Sequence, residues 1–304
     1  MRAPLKERNR SRTRFSLPNG GELREKRRMI PDIDDVIQII RETAAREVMP
    51  RFGNLAAGDV TKKTGGEVVT TADIAAEKRL AHHLKALVPE SVVVGEEAAD
   101  SDPNLMAALA GPQPVWLVDP VDGTRNFSRG EPCFAIIVAF CQGGATVAGW
   151  INDPINDLTV WAAVGKGAWL GRRRLKVAAP AAFGEMAGSL RQRMKKRLQA
   201  RAQAGLGAAP ARIVHYRCTG REYQDLARGK LHFCHYPRRL KPWDHAAGVL
   251  MHREAGGFSA LTGGRRPYRP AASAVEADLL LAPDEAAWDA LDAALAAPNA
   301  GHHV

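Results

Sequence analysis

The chain has 304 residues, 45% hydrophobic and 25% charged, a globular composition for one large domain or two smaller ones sharing a cleft. No apolar run approaches the roughly 20 residues of a membrane span, the amino terminus lacks the apolar segment of a secretory signal, and four cysteines make no disulfide scaffold in so long a chain. The formal charge of +10 is uneven: residues 1–28 hold ten Lys/Arg against three Asp/Glu, leaving only +3 for the rest.

Those first 28 residues carry few large apolar groups and cannot bury a core, so a disordered basic extension is expected there. It reads as an arm for RNA or a membrane surface, an Arg-rich transit peptide, or an extension upstream of a start at Met29. Asp32 to Phe52 forms an amphipathic helix with Ile33, Val36, Ile37, Ile40 and Ala44 on one stripe. A loop with Lys62 and Lys63 leads to a short strand at Val68-Val69. A helix follows from Thr71 to Leu87, with Ile74, Ala75, Leu80 and Leu84 as its apolar stripe. Ser91 to Val94 is a buried strand that ends at Gly95-Glu96-Glu97.

Val115 to Val118 is the next strand, and it runs into Asp119-Pro120-Val121-Asp122-Gly123-Thr124-Arg125-Asn126-Phe127. Pro120 cannot donate to a ladder, so the strand is expected to stop there and leave Asp119 and Asp122 on a turn. Gly123 permits close approach of a ligand to the backbone, and Thr124 falls where a helix can begin. Cys133–Cys141 and Thr146–Asn152 form a hairpin about Gly143-Gly144, with Cys133 and Cys141 as reduced thiols on one face. Leu158–Val164 and Ala168–Leu170 extend the sheet.

Arg191 to Arg201 is a basic helix with a solvated face. Ile213–Tyr216, Leu231–Tyr236 and Asp278–Ala282 read as strands, and Glu222–Arg228, Trp243–Ala255 and Glu285–Ala296 as helices. His232-Phe233-Cys234-His235 has no second ligand cluster, so strand packing is its reading rather than zinc. The mixture predicts a layered α+β fold with an N-terminal subdomain over 29–155 and a C-terminal one over 156–304 that completes the site.

Three carboxylate sites share one placement, where an apolar element meets glycine or proline: Glu96 and Glu97, Asp119 and Asp122, and Asp244 at a helix start. Converging like charges raise each other's pKa. Mg²⁺ removes that cost and needs few carboxylates beside substrate oxygens. Metal-bound phosphate chemistry then requires mainly positioning and charge neutralisation.

Gly95-Glu96-Glu97, the Asp119–Thr124 run with Asn126-Phe127, and Trp243-Asp244-His245-Ala246-Ala247-Gly248 with Glu254-Ala255-Gly256-Gly257 together resemble the inositol monophosphatase family over roughly residues 30 to 290. The resemblance implies a layered αβαβα fold, hydrolysis of a small phosphomonoester with two or three Mg²⁺ ions, lithium sensitivity and a cytoplasmic homodimer. By position, Glu96, Asp119, Asp122 and Asp244 would be side-chain metal ligands, and Val121 would offer its carbonyl. Thr124 with Asp73 would orient the attacking water, with Glu96 counted in the catalytic set. Gly123 and Thr124 N–H groups would hold the phosphate, and Lys62 or Lys63 would reach the third metal region.

The substrate pocket departs from the family pattern. Arg217-Cys218-Thr219-Gly220 resembles its Arg-x-x-Gly turn, but Arg221 and Glu222 follow where inositol-specific members have small residues. The glutamate that grips inositol, seven residues before the Trp-Asp aspartate, is Pro237 here. The expected substrate site is therefore Gly123, Thr124, Gly220, Arg221, Glu222 and Asp244, and Arg221, Arg238 and Arg239 read either as contacts for a larger or more anionic ligand or as solvated surface. Histidinol phosphate, fructose bisphosphate and adenosine bisphosphates stay open as substrates. Haloacid-dehalogenase phosphatases space their aspartates two apart, with the first as nucleophile; the spacing of three here predicts no aspartyl-phosphate. The reading from a different class is a non-catalytic protein that binds RNA or protein through the basic arm. No membrane partner is expected, and no nucleic acid except through that arm.

Overall fold

The computed structural model describes residues 29–63 and 65–297, so the expectations for residues 1–28 lie outside the described residues. Asp32 Oδ1 accepts from the N–H groups of Asp34 and Asp35 at 2.9 and 3.0 Å, capping α1 (Ile33–Thr43). The helix buries Val36 and Ile40 and runs into one π-helical turn, Ala44–Val48. An antiparallel ribbon of β1 (Val60–Lys62) and β2 (Val68–Thr70) leads into α2 (Thr71–Leu87). The core face of α2 holds Ala72, Ala76, Leu80 and Leu84 with Asp73 and Glu77. Ile74, expected on that stripe, is 57% exposed instead. Two residues after Ala72 the helix has turned about 200°, so Ile74 faces the opposite side.

Seven strands then form one sheet in sequence order: β3 (Val92–Gly95), β4 (Val115–Asp122), β5 (Ala135–Gln142), β6 (Ala145–Asp153), β7 (Leu158–Ala163), β8 (Gly167–Leu170) and β9 (Arg173–Arg174). Only β3 and β4 pair in parallel. Residue 155 falls in the turn between β6 and β7 of this sheet. Every residue of β4 is buried, which is why it reads as a continuous apolar run rather than an alternation. Trp116 and Val118 join the core under α1 and α2, while Val115 and Leu117 face the opposite core.

The expectation that β4 stops before Pro120 is corrected. The strand continues to Asp122, with Asp119 opposite Ile137 and Asp122 opposite Ala135. Three steps on one strand match two on the other, so a bulge absorbs the proline and no ladder donor is missing. Short helices follow both parallel strands, α3 (Glu96–Ser101) after β3 and α4 (Thr124–Phe127) after β4.

The C-terminal half contributes β10 (Ala187–Ser189), α5 (Gln192–Gln203), β11 (Arg212–Val214), α6 (Thr219–Ala227), β12 (Phe233–Tyr236), α7 (Pro242–Glu254), β13 (Phe258–Leu261), β14 (Leu279–Ala282) and α8 (Glu285–Ala296). Its sheet has the order β11-β10-β12-β14-β13. β9, β10 and β13 were not expected from sequence. Arg173-Arg174 and Ala187-Gly188-Ser189 carry no apolar alternation, and β13 follows α7 with only a short glycine turn. β12 holds Phe233 and Cys234 in the core, while His232 Nδ1 accepts from Ala187 N–H and His235 Nε2 meets Asp278 Oδ2 at 3.1 Å. All four cysteines are free; Cys141 lies in β5, whereas Cys133 precedes the strand and is half-buried.

Three cores separate five layers. α1 and α2 cover one face of the seven-stranded sheet. α6 and α7 lie between the two sheets, packing Leu226, Leu250 and Met251 against Ile137, Ile151, Leu279 and Leu281. α5 and α8 cover the far face of the second sheet through Leu198, Trp288 and Leu291. This is the layered αβαβα α+β architecture.

His252 on α7 is fully buried and neither ring nitrogen has a hydrogen-bond partner among the described residues. Burial lowers its pKa from 6.5 to about 3. The folded state therefore binds fewer protons than the unfolded chain, so the stability present above pH 6.5 is lost as pH falls towards 3. Urea unfolding of His252→Leu is expected to show a smaller stability loss between pH 7 and pH 4 than wild type, by about 3 kcal/mol at most.

Candidate active site

The carboxyl ends of β3 and β4 and the starts of α2 and α7 converge. β3 delivers Glu96, β4 delivers Asp119 to Asp122, α2 presents Asp73, and α7 opens with Asp244. Carboxylate oxygens of Glu96, Asp119 and Asp244 lie within 4.8 Å of one another. Asp119 is buried, and among the described residues the one hydrogen bond to its carboxylate comes from Val121 N–H at 3.1 Å. The Asp244 carboxylate receives none from the described residues.

Burial first, then the charges of Glu96 and Asp122, push both Asp119 and Asp244 well above the usual carboxylate range. Carboxylates crowded without partners are costly unless a cation joins them. Their hard oxygen donors fit a hard divalent ion.

Asp122 sits beside this set with a second tie. Its Oδ2 accepts from Gly220 N–H at 2.5 Å and from the Cys218 thiol at 3.1 Å, which docks the N-terminus of α6 against β4. Burial raises its pKa to about 6 against the pull of these donors. Gly123 adopts φ +89°, a left-handed conformation that suits glycine, and turns the chain from β4 into α4. The first helical hydrogen bonds run from Asn126 and Phe127 N–H to the Gly123 carbonyl, so the Gly123 and Thr124 N–H groups precede the ladder. Asn126 Nδ2 donates to the carbonyls of Cys133 and Tyr216, at 2.7 and 2.9 Å, and pins this turn to the second half of the chain.

Thr124 Oγ1 lies 2.9 Å from the Val121 carbonyl and 3.2 Å from Asp73 Oδ1. Asp73 is held by the capping box of α2: its Oδ2 accepts from Thr70 N–H at 2.8 Å and from Thr70 Oγ1 at 2.5 Å. Burial raises its pKa to about 6, opposed by those hydrogen bonds.

Of the paired lysines, Lys63 enters the site and Lys62 lies on the exposed ribbon. Lys63 Nζ is 2.8 Å from Glu97, 2.7 Å from Asp100 and 3.6 Å from Glu96. Lys241 Nζ lies 2.9 Å from Glu67 and 3.4 Å from Glu96. A second acidic group, Glu67, Glu96 and Asp100, is thus already crossed by two ammonium groups, whereas the Asp119 and Asp244 side is not.

Sequence reasoning missed Glu77. Its carboxylate accepts from Glu97 and Ala98 N–H, both at 2.8 Å, capping α3 and so fixing the turn that carries Glu96. Burial raises its pKa to about 7. A Cβ on Gly95 would collide with this carboxylate, which explains the glycine. The available signal was a glutamate one turn after Asp73 on the core side of α2.

The sequence profile of the inositol monophosphatase family matches residues 32–297. The chain belongs to that family. It is 34% identical to an inositol-1-monophosphatase of Caulobacter vibrioides over 225 residues, 70% of this chain and 83% of the relative. It is 29% identical to a fructose-1,6-bisphosphatase/inositol-1-monophosphatase of Thermotoga maritima over 237 residues, covering 74% and 83%. The fold is similar to that of a solved Thermotoga maritima IMPase, with a TM-score of 0.72 at 24% identity over 86% of this chain and 95% of that one. Membership makes the protein a phosphatase acting on phosphomonoesters, and among the described residues no helix is long and apolar enough to cross a membrane.

In this family member the site opens into a cleft of about 1370 Å³. Glu96, Asp119, Val121, Asp122, Gly123, Thr124 and Asp244 all line it. Gly220, Arg221 and Glu222 do not. Gly220 spends its N–H on Asp122. Arg221 turns away to Asp153 and Asp225, at 3.4 and 3.5 Å. Glu222 is buried with its Oε1 accepting from Ser189 Oγ at 2.6 Å, and burial raises its pKa to about 7. Besides Lys63 and Lys241, the cations that line the cleft are Lys78, Arg125, Arg191, Arg217, Arg238 and Arg239, of which the sequence had offered Arg238 and Arg239 for the substrate.

Proposed function

We propose that this phosphatase hydrolyses a small phosphomonoester with Mg²⁺ by direct attack of water, without a covalent phosphoenzyme. The observation that carries the reading is the convergence of the Glu96, Asp119 and Asp244 carboxylates, two of them without a cationic partner among the described residues, beside the Thr124–Asp73 pair. In this reading Glu96, Asp119, Asp122, Asp244 and the Val121 carbonyl hold two or three ions. Ions held there would supply neutralisation of the phosphate charge and would make the attacking water more acidic. Thr124 Oγ1 accepts a hydrogen bond from that water while its own proton points to Asp73 Oδ1. Gly123 and Thr124 N–H groups donate to the phosphate oxygens. Lys63 and Lys241 balance the outer carboxylates and keep Glu96 in place. A cytoplasmic homodimer inhibited by Li⁺ completes the proposal, and Pro237 in place of a glutamate leaves the alcohol open beyond inositol.

The test is phosphate release from inositol 1-phosphate, histidinol phosphate, fructose 1,6-bisphosphate and adenosine 3′,5′-bisphosphate, with Mg²⁺, after chelation and with Li⁺. Release that needs Mg²⁺ and falls with Li⁺ is expected from at least one of them. Unchanged rates after chelation, or a trapped phosphoenzyme, would overturn the mechanism. Glu77→Gln gives a further expected result: the Mg²⁺ needed for half-maximal rate rises about ten- to a hundred-fold, because the turn carrying Glu96 loses one of its two anchors. Circular dichroism should stay that of wild type.

A further inference from the structure

Arg221 stands in α6, one residue after the Gly220 that docks on Asp122, and it is bonded at both ends. Its N–H donates to Cys218 Sγ at 3.4 Å, and that thiol in turn donates to Asp122 Oδ2 at 3.1 Å. Its guanidinium spans two elements. Nη1 lies 3.4 Å from Asp153 Oδ2 at the end of β6, and Nε lies 3.5 Å from Asp225 Oδ2, one turn further along α6. Both carboxylates are buried, so each depends on a paired cation. The guanidinium also lies over the Tyr216 ring, with Cζ 5.9 Å from its centroid, and Tyr216 OH donates to Asp225 Oδ2 at 3.1 Å. The Tyr216 carbonyl accepts from Asn126 of α4 at 2.9 Å. Between these anchors Arg217 is held at φ +55°, a left-handed conformation that persists only where its surroundings fix it. The turn has no slack on the Asp122 side: a Cβ on Gly220 would lie 2.8 Å from Ala135 Cβ and 3.2 Å from Asp122 Oδ2. Close-packed contacts of this kind pass a shift on rather than absorb it.

We propose that Arg221 is a positioning residue for Asp122, holding the Tyr216–Gly220 turn where the Cys218 thiol and the Gly220 N–H orient that carboxylate for an ion. This rests on the metal-dependent reading above and adds a residue that acts on the ion through Asp122, without touching the substrate. A guanidinium suits the task because its planar fork reaches two carboxylates on different elements while its face covers a ring. An ammonium is a point donor and does only part of this.

The experiment measures the Mg²⁺ requirement of the full chain in two ways: by the Mg²⁺-induced rise of the thermal unfolding midpoint, which needs no turnover, and by the Mg²⁺ giving half-maximal phosphate release from inositol 1-phosphate. Arg221→Met keeps the apolar stem and removes the charge. It is expected to raise the Mg²⁺ requirement about ten- to a hundred-fold in both readouts, the scale of losing a group that orients a metal ligand. At saturating Mg²⁺ its KM should stay within about two-fold of wild type, because no substrate contact is lost. Arg221→Lys should recover part of the ion affinity. Asp153→Asn preserves shape, removes one of the two carboxylates, and should shift the requirement in the same direction by less. Arg41→Met breaks an exposed ion pair with Asp157 outside the cleft and should leave the requirement unchanged. A lowered midpoint with an unchanged Mg²⁺ requirement would make Arg221 a structural residue only. A raised KM at saturating Mg²⁺ with an unchanged ion requirement would make it a substrate contact. Either result overturns the proposal and leaves the metal site standing. A wild-type midpoint that does not move with Mg²⁺ overturns the metal site itself, and the proposal with it.

Discussion

Asp119→Asn is expected to lower kcat/KM by about 10³-fold, the scale of removing one preorganised charge-stabilising group, while the protein stays folded. The carboxylate lies within 4.8 Å of its two neighbours, and Val121 N–H is the one donor it has among the described residues. An amide cannot supply the missing anionic oxygen, so ion binding fails although shape is preserved. Stability moves the other way. Burial and the charges of Glu96, Asp122 and Asp244 raise the pKa of Asp119, which means that its ionised form weakens the ion-free fold. Thermal unfolding of the metal-free variant should therefore occur at or above the wild-type temperature, by about 2–4 °C per kcal/mol relieved. Added Mg²⁺ should raise the wild-type midpoint by mass action and leave that of the variant nearly still. Turnover near the wild-type rate, or an undiminished Mg²⁺ shift, would remove Asp119 from the ligand set.

Thr124→Ala should reduce kcat by about 10²–10³-fold, within the range of positioned proton-transfer groups, with little change in KM or in the Mg²⁺ needed. The hydroxyl links Asp73 to the end of β4, at 3.2 Å from Asp73 Oδ1 and 2.9 Å from the Val121 carbonyl. Its loss leaves the backbone of α4 and the Gly123 turn unaltered, because the Asn126 anchors persist. Thr124→Ser restores the oxygen and should recover most of the rate. That rescue separates a role in orienting water from a packing role, since alanine and serine are both smaller than threonine. A serine variant as slow as the alanine variant would assign Thr124 to packing.

Much of the site was legible because its chemistry lies in local motifs. Asp119 and Asp122 close an apolar strand, Gly123 allows the turn, and Asp73 belongs to a capping box that Thr70 announces three residues earlier. A layered α+β fold followed from the mixture of helices and strands, whereas the five-layer αβαβα order was what the family resemblance implied. What failed locally failed for specific reasons. Pro120 looks like a strand end until a bulge is available across from Ala135 to Ile137. Ile74 looks like core until the small faces of Ala72 and Ala76 claim the sheet. β9 and β10 lack apolar alternation and exist because a neighbouring strand edge recruits them.

The amino-acid sequence by itself determined the family, the order of the carboxylates and the glycine turn that follows them at Gly123, since these depend on spacing within a few residues of one strand or helix start. Tertiary structure alone decided that Lys63 rather than Lys62 reaches Glu96, and that Glu77 anchors the α3 turn. It also decided that Arg221 and Glu222 face away from the cleft while Arg191 and Arg217 line it along with Arg238 and Arg239. Each of these depends on how one element is rotated against another far away in sequence, and packing of buried faces, not local spacing, sets that rotation.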